Sequence, residues 1–343
     1  MKILYGVQAT GNGHISRSRI MARYLKEKNA DVTYLFSGRD KDKLFGMDIF
    51  GDYQHRRGLT FAIENGHINQ FKTVTQNNMF VFLHDINNLS LDEYDLIITD
   101  FEPITAWAAK LQNKPSIGIG HQYSFGEDTP IASHHYIGKQ ILKYFAPVKY
   151  RVGLHWHPFD QSVFPPIIDL QLKRKKTDNT YVVYLPFENQ IAVSKILNQL
   201  DDYQFIQYSP DLHDGQCGTN VCLRKTSLQG FKYDLCKAQG VICNAGFELI
   251  SECLHLGVPI LAKPLSGQIE QNANALALTK LGYADIQETV SVEEISHWLK
   301  KDKSCMPRPL PNVAKSLVEW VLSGKWQNHS MLHRSLWEKN QTV

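Results

Sequence analysis

The feature that most limits how this chain folds is a repeated alternation of short apolar runs with amphipathic stretches. Residues 3–7 read as a buried strand, and Ile15, Ile20, Met21, Tyr24 and Leu25 then recur at roughly helical spacing over residues 15–28. Residues 32–36 read as the next strand. Residues 95–100 form an apolar run between acids. A helical stretch follows, with Ile104, Trp107, Ala108 and Leu111 on one face, and then a strand over 115–120. Strand, helix and strand repeated in this way predict a parallel sheet with helices on its faces. A second series opens at 181–185, continues at 205–207 and 241–243, and reaches another buried strand at 259–262. Between the two series, residues 158–178 carry Pro158, Pro165, Pro166 and the basic run Lys173-Arg174-Lys175-Lys176, which predicts a stiff linker with an exposed turn. With 343 residues the chain has room for two domains of about 150 residues each. The expected boundaries are 1–160 for the first domain, 161–178 for the linker and 179–308 for the second. A helical extension over 309–343 then packs back on the first domain; its helix spans 312–322 and Gly324 ends it.

Bulk charge excludes little beyond one class of partner. The 37 basic and 34 acidic side chains leave a net charge of +3, too small an excess to argue for nucleic acid. The six cysteines, at 217, 222, 236, 243, 253 and 305, form no Cys-x-x-Cys pair, and several sit in apolar runs. They are expected to be buried free thiols, which suits a reducing cytoplasm. The apolar run at the N-terminus is too short for a signal peptide, and no stretch reaches the roughly 20 apolar residues that span a bilayer. A soluble cytoplasmic protein is expected, with contact at the inner face of a membrane left open.

The most informative segment is Asn244-Ala245-Gly246-Phe247-Glu248-Leu249-Ile250-Ser251-Glu252. A strand ends before it, a small-residue turn follows, and a helix begins, to stop at Gly257 ahead of Pro259. Free N–H groups and the helix dipole favour a phosphate at such a turn, and Gly246 lets it approach the backbone. Glu252, about one and a half turns in, could accept hydrogen bonds from a ribose diol. Glu248 in the first turn complements the dipole but would repel phosphate unless it points away. The next strand leads through Pro264 to Ser266-Gly267, which open a helix, and Ser266, Gln268, Glu270, Gln271 and Asn272 at or near its start give a mixed lining that suits sugar hydroxyls.

These residues, with Gly257-Val258-Pro259-Ile260 and the stretch from Pro264 to Ala275, resemble the donor-binding half of GT-B glycosyltransferases, and above all the MurG-like group. Gly11-Asn12-Gly13-His14 after the first strand resembles that group's glycine-rich loop ending in histidine, and His121-Gln122 stands where the group has a polar motif. Leu249 stands in place of the group's threonine, and Glu270-Gln271 in place of its paired glutamines. The resemblance covers most of the chain. It implies an α/β fold of two Rossmann-like domains facing each other across a cleft. It also implies sugar transfer from a nucleoside diphosphate donor, a uridine one first, to the hydroxyl of a sugar, lipid-linked or small-molecule acceptor. Asn244, Ala245, Gly246, Phe247, Glu248, Glu252, Gly267, Gln268, Glu270 and Gln271 would bind the donor, together with Gly13.

An inverting transfer needs a base for the acceptor hydroxyl, and a histidine suits that role near neutral pH. His14 is the first candidate base; Asp100 and His121, at first-domain strand ends, are further catalytic candidates, with Glu102 nearby. Asp100 could equally cap the following helix. Neither a bound metal nor a cofactor is expected, because His134-His135 and His155-x-His157 lack acidic or cysteine partners at suitable spacing. A dinucleotide site is disfavoured by Ser16 where a third glycine is required. A nucleotide-sugar 2-epimerase and a non-catalytic nucleotide-sugar-binding relative are the alternative functions.

Overall fold

The computed structural model describes residues 1–60, 63–64, 67–68, 73, 75, 77–125, 129–130, 144–159, 163–175, 179–301, 305–327 and 329–338. His134, His135 and Lys176 lie outside the described residues. In the first half, strands β1 (Lys2–Gln8), β2 (Asp31–Ser37), β3 (Gln54–His55), β6 (Leu96–Asp100), β7 (Ser116–Gly120), β8 (Tyr150–Leu154) and β9 (Val163–Phe164) form one sheet in the order β3-β2-β1-β6-β7-β8-β9. Every pairing in it is parallel. A small hairpin of β4 (Ile63–Glu64) and β5 (His67–Ile68) stands apart. Helices α1 (Asn12–Glu27), α2 (Met79–Asn88) and α3 (Pro103–Leu111) belong to this half.

The second half repeats the plan. Strands β10 (Thr180–Tyr184), β11 (Gln204–Ser209), β12 (Gln216–Cys217), β13 (Val221–Lys225), β14 (Gly240–Asn244), β15 (Ile260–Lys263) and β16 (Asp285–Ile286) run in the order β12-β13-β11-β10-β14-β15-β16. Only β12 is antiparallel to its neighbour. The helices are α4 (Gln190–Leu197), α5 (Leu228–Lys237), α6 (Phe247–Leu256), α7 (Ile269–Leu281) and α8 (Val292–Lys300). In each sheet the strand order reverses beside the first strand of its half, β1 or β10. The crevice at the carboxyl ends of the strands at such a reversal is where open α/β sheets bind ligands.

Continuous apolar strands follow from burial on both faces. Ile3, Leu4, Tyr5 and Val7 of β1 are all fully buried, as are Val182 and Val183 of β10. Gly6 is required by close packing, since a Cβ there would fall 2.1 Å from Thr105 Oγ1 on α3. Gly257 ends α6 in the left-handed conformation, φ 67°. Helix α9 (Val313–Leu322) returns to the first half, where Asn312 Nδ2 donates to the Tyr24 hydroxyl of α1 at 2.7 Å. Helix α10 (Ser330–Glu338) continues along it, with Trp337 Nε1 donating to the Val163 carbonyl at 2.8 Å.

The linker stretch carries an exposed turn at its basic residues and is packed ahead of it. Pro165 and Pro166 are buried, and Ile167, Ile168 and Leu172 are core side chains, so solvent meets mainly the basic residues Lys173, Arg174 and Lys175. The cysteines are not all free thiols. Cys217 and Cys222 face each other across β12 and β13 and form a disulfide. Cys236, Cys243 and Cys253 are buried thiols and Cys305 is half-buried. Among the described residues no helix is long and apolar enough to cross a membrane.

Candidate active site

The turn after β1 aims three side chains of one helix at a single carboxylate. His14, Arg17 and Ser18 stand at i, i+3 and i+4 on α1, a spacing that places them on one face. His14 Nδ1 is 2.8 Å from Asp100 Oδ1 at the end of β6. Arg17 takes both Asp100 oxygens, with Nε at 2.9 Å and a terminal nitrogen at 2.6 Å, and Ser18 Oγ donates at 3.4 Å. Burial opposes the charge on Asp100, but the guanidinium of Arg17 and then His14 hold its carboxyl below the ordinary carboxylate value. Asp100 does not cap the next helix. Glu102 does so, accepting from the Ile104 and Thr105 amides at 2.9 and 2.7 Å. The division of labour depends on Phe101 between them, whose φ of 54° is unusual for an aromatic residue. Its ring stacks on Phe145 with centroids 5.0 Å apart, a contact that helps hold the turn.

Across the cleft, α6 begins at Gly246 with no side-chain cap, and a Cβ on Gly246 would meet open space. Its first amides therefore lack a capping side chain and face an approachable backbone. Glu248 in the first turn does not point away. It crosses to the first half and bonds Arg17, and a Cβ on Gly13 would lie 3.0 Å from its Cγ. Ala245 serves the frame, its N–H donating to the Lys263 carbonyl at 3.0 Å. Gly267 turns the chain at φ 82° after β15, and Gln268 precedes α7. Glu270 accepts from Gln122 Nε2 at 2.9 Å. Gln271 is structural, its Oε1 accepting from the Leu265 amide at 2.8 Å. Among the described residues of the cleft, the buried amide oxygens of Gln122, Asn244 and Gln268 have no protein partner. Each is an acceptor left for a donor such as a hydroxyl.

A cavity of about 100 Å³ lies between α1 and helices α5 and α6, lined by Gly13, Arg19, Phe45, Thr226, Lys232, Glu248, Leu249 and Glu252 among others. Burial raises the Glu252 carboxyl to about 7, with Lys232 opposing and Asp169 adding to the rise. A larger depression of about 560 Å³, lined by Tyr181 and Tyr203, opens at the amino ends of β10 and β11. It is at the wrong end of a parallel sheet for the site.

His121 has no free ring nitrogen. Nδ1 is 2.8 Å from the Leu154 carbonyl and Nε2 2.6 Å from Asn274 Oδ1, while the ring lies flat on Phe247 with centroids 3.9 Å apart. Those contacts join the two halves and leave no nitrogen for an acceptor, so the geometry speaks against His121 as a base. Phe247 likewise packs between His121 and Trp156. His155 is in the core beside His121 and Phe159, and among the described residues no three His, Cys, Asp or Glu side chains converge as a metal site would require.

A family model described as glycosyl transferase family 1 matches residues 1–302. The chain belongs to that family. No curated protein matches it by sequence. Among solved structures, the glycotransferase of kitacinnamycin superposes with a TM-score of 0.60 at 18% identity, covering 99% of this chain and 98% of that one. MurG of Acinetobacter baumannii gives 0.58 at 14% identity, covering 94% and 100%. The Streptomyces sp. SF2575 glycosyltransferase SsfS6, complexed with thymidine diphosphate, gives 0.54 at 11% identity, covering 83% and 87%. At these identities the likeness is one of fold, and the fold of this glycosyltransferase is GT-B. Several neighbours are antibiotic glycosyltransferases, so nothing singles out the MurG branch.

Arg17 was not foreseen as a site residue. Its one sequence signal is the i, i+3 spacing from the loop histidine, which is informative only once Asp100 is known to lie opposite. Arg19 and Phe45, which bring the first half into the cavity, have no local signature.

Proposed function

We propose that this glycosyltransferase transfers a sugar, with inversion, from a nucleoside diphosphate donor to an acceptor hydroxyl, with His14 as base and Asp100 as its orienting carboxylate. The observation that carries this reading is the His14–Asp100 pair, 2.8 Å apart, facing the uncapped start of α6. Asp100 holds Nδ1, and Nε2, which faces the Gln122 amide nitrogen at 3.4 Å, accepts the hydroxyl proton once the acceptor oxygen takes that place and attacks the anomeric carbon. The bond from that carbon to the diphosphate breaks on the opposite face. Asp100 then stabilises the imidazolium, and the first amides of α6, at Phe247 and Glu248, receive the charge of the leaving diphosphate. Glu252 binds the ribose. The unpartnered oxygens of Asn244, Gln268 and Gln122, with Glu270, hold the sugar hydroxyls. Uridine is the base proposed first; a neighbour complexed with thymidine diphosphate supports a pyrimidine nucleotide.

The test is a panel of nucleotide sugars with cell extract as acceptor, read as released nucleoside diphosphate. Release from at least one donor is expected, and no binding or release with any donor refutes the reading. Because helix amides meet the diphosphate charge, transfer is expected to persist in EDTA. Loss of activity restored by magnesium or manganese contradicts this.

Glu252 supplies a pH-dependent expectation. Ribose hydroxyls need the ionised carboxylate as acceptor, and the Glu252 carboxyl lies at about 7. Donor affinity therefore falls as pH drops below that value and levels off above it. Glu252→Ala weakens donor binding about tenfold or more at pH 8, the loss of a charged hydrogen-bond acceptor. It also flattens the pH dependence, and calorimetric titration at pH 6 and pH 8 measures both effects.

A further inference from the structure

The proposed chemistry makes no use of Arg17, yet few side chains in the cleft are so completely engaged. It is 2% exposed. Nε and one terminal nitrogen hold the two oxygens of Asp100, and the other terminal nitrogen bonds Glu248 of the opposite half. One guanidinium thus joins the carboxylate beside His14 to the first turn of α6, where the diphosphate is proposed to sit. A lysine could not do this, since an ammonium is a point charge without the planar fork that takes two carboxylate oxygens at once.

Glu248 is the provisional member of this chain. A helix start favours any anion, so its carboxylate occupies an electrostatic place suited to phosphate. It fills the gap above Gly13 and lines a cavity of about 100 Å³. Sites for ligands of drug-like size run from about 300 Å³ upward, and Glu248 stands in the space by which this cavity would widen toward Arg17. Burial, opposed by Arg17 and reinforced by Asp100 and Glu252, pushes the Glu248 carboxyl up, which eases loss of its charge beside an incoming anion.

We propose that Arg17 is a positioning residue linking the donor seat to the base: Glu248 holds its outer nitrogen, and the donor's diphosphate competes with Glu248 for it. Asp100 and His14 are then fixed in their reacting arrangement as the donor seats. This rests on the proposed donor site and goes beyond it in assigning a competitor and a coupling between the halves.

The test is a double-mutant cycle on the full chain, with uridine diphosphate and, in parallel, thymidine diphosphate as probes in titration calorimetry. Glu248→Gln is expected to tighten diphosphate binding by a factor of about 3 to 10, because the competing charge is gone. Arg17→Lys weakens binding by a similar factor, about 3 to 10, and in its background Glu248→Gln gains nothing. Arg17→Lys also lowers kcat for transfer with little change in acceptor KM, a split that a merely structural contact would not produce. If Glu248→Gln weakens binding or leaves it unchanged, the pair is only a bridge and the proposal is overturned. That single variant decides the matter even if Arg17→Lys fails to show a thermal unfolding transition. Failure of the unaltered protein to bind either diphosphate instead refutes the donor site itself, and this proposal with it.

Discussion

Replacing His14 with alanine is expected to lower turnover of sugar transfer by about 100- to 10,000-fold, the range supplied by a positioned general base. Affinity for the nucleoside diphosphate should stay close to that of the unaltered protein, because His14 belongs to the first half of the chain and bonds Asp100 rather than α6. Loss confined to kcat marks a group that acts in the transition state. His14 is 14% exposed, so the substitution opens little core and the fold should survive. Steady-state rates with a donor identified from the panel, together with diphosphate titration, separate the two effects. Unchanged turnover would exclude His14 as the base.

The second large effect is on stability. Asp100→Ala is expected to destabilise the first half by roughly 3–5 kcal/mol, since removing one partner of a buried pair strands the other charge. Arg17 would lose both of its Asp100 bonds and keep only Glu248. Because the folded-state pKa of Asp100 is depressed, its stabilising contribution is present above the unfolded carboxylate value of about 3.9 and is lost as pH falls through the lower folded value. Between pH 5 and 8 Asp100 itself stays ionised and adds no pH dependence, so a slope in the gap between the two proteins there reports Glu248, whose carboxyl Asp100 helps to push up. Urea unfolding across that range measures it. A difference under about 1 kcal/mol would show that the pair is no better than an exposed one. Turnover of the variant should fall as well, because the imidazole loses its orienting partner.

Much of the fold was legible in the sequence because both sheets are parallel and covered on both faces. Their strands read as unbroken apolar runs at 3–7 and 241–243, and they proved to be the strands Lys2–Gln8 and Gly240–Asn244. The helix after Gly246 and its stop at Gly257 were legible from the small turn and the glycine. The burial of Ile167, Ile168 and Leu172 in the linker stretch was not legible, because prolines and a basic run mark local stiffness and charge, not tertiary packing. The Cys217–Cys222 pair was missed because a spacing of five residues becomes a cross-strand contact only when a hairpin brings the two together.

Within the site, single-chain motifs were legible and cross-domain contacts were not. Gly13 and Glu252 line the cavity between α1 and α6, and Gly246 begins α6. His121 looked like a catalytic candidate because it ends a first-domain strand. Its two partners, Leu154 and Asn274, are 33 and 153 residues away. Arg17 is 83 residues from Asp100 and 231 from Glu248, so no local pattern could have announced it.

The most direct test of the donor site is a crystal structure of the protein with uridine diphosphate bound. The diphosphate is expected within hydrogen-bond reach of the amides at the start of α6, beside Gly246, with the ribose hydroxyls on the Glu252 carboxylate. A nucleotide bound elsewhere, with α6 and Glu252 untouched, would contradict the account.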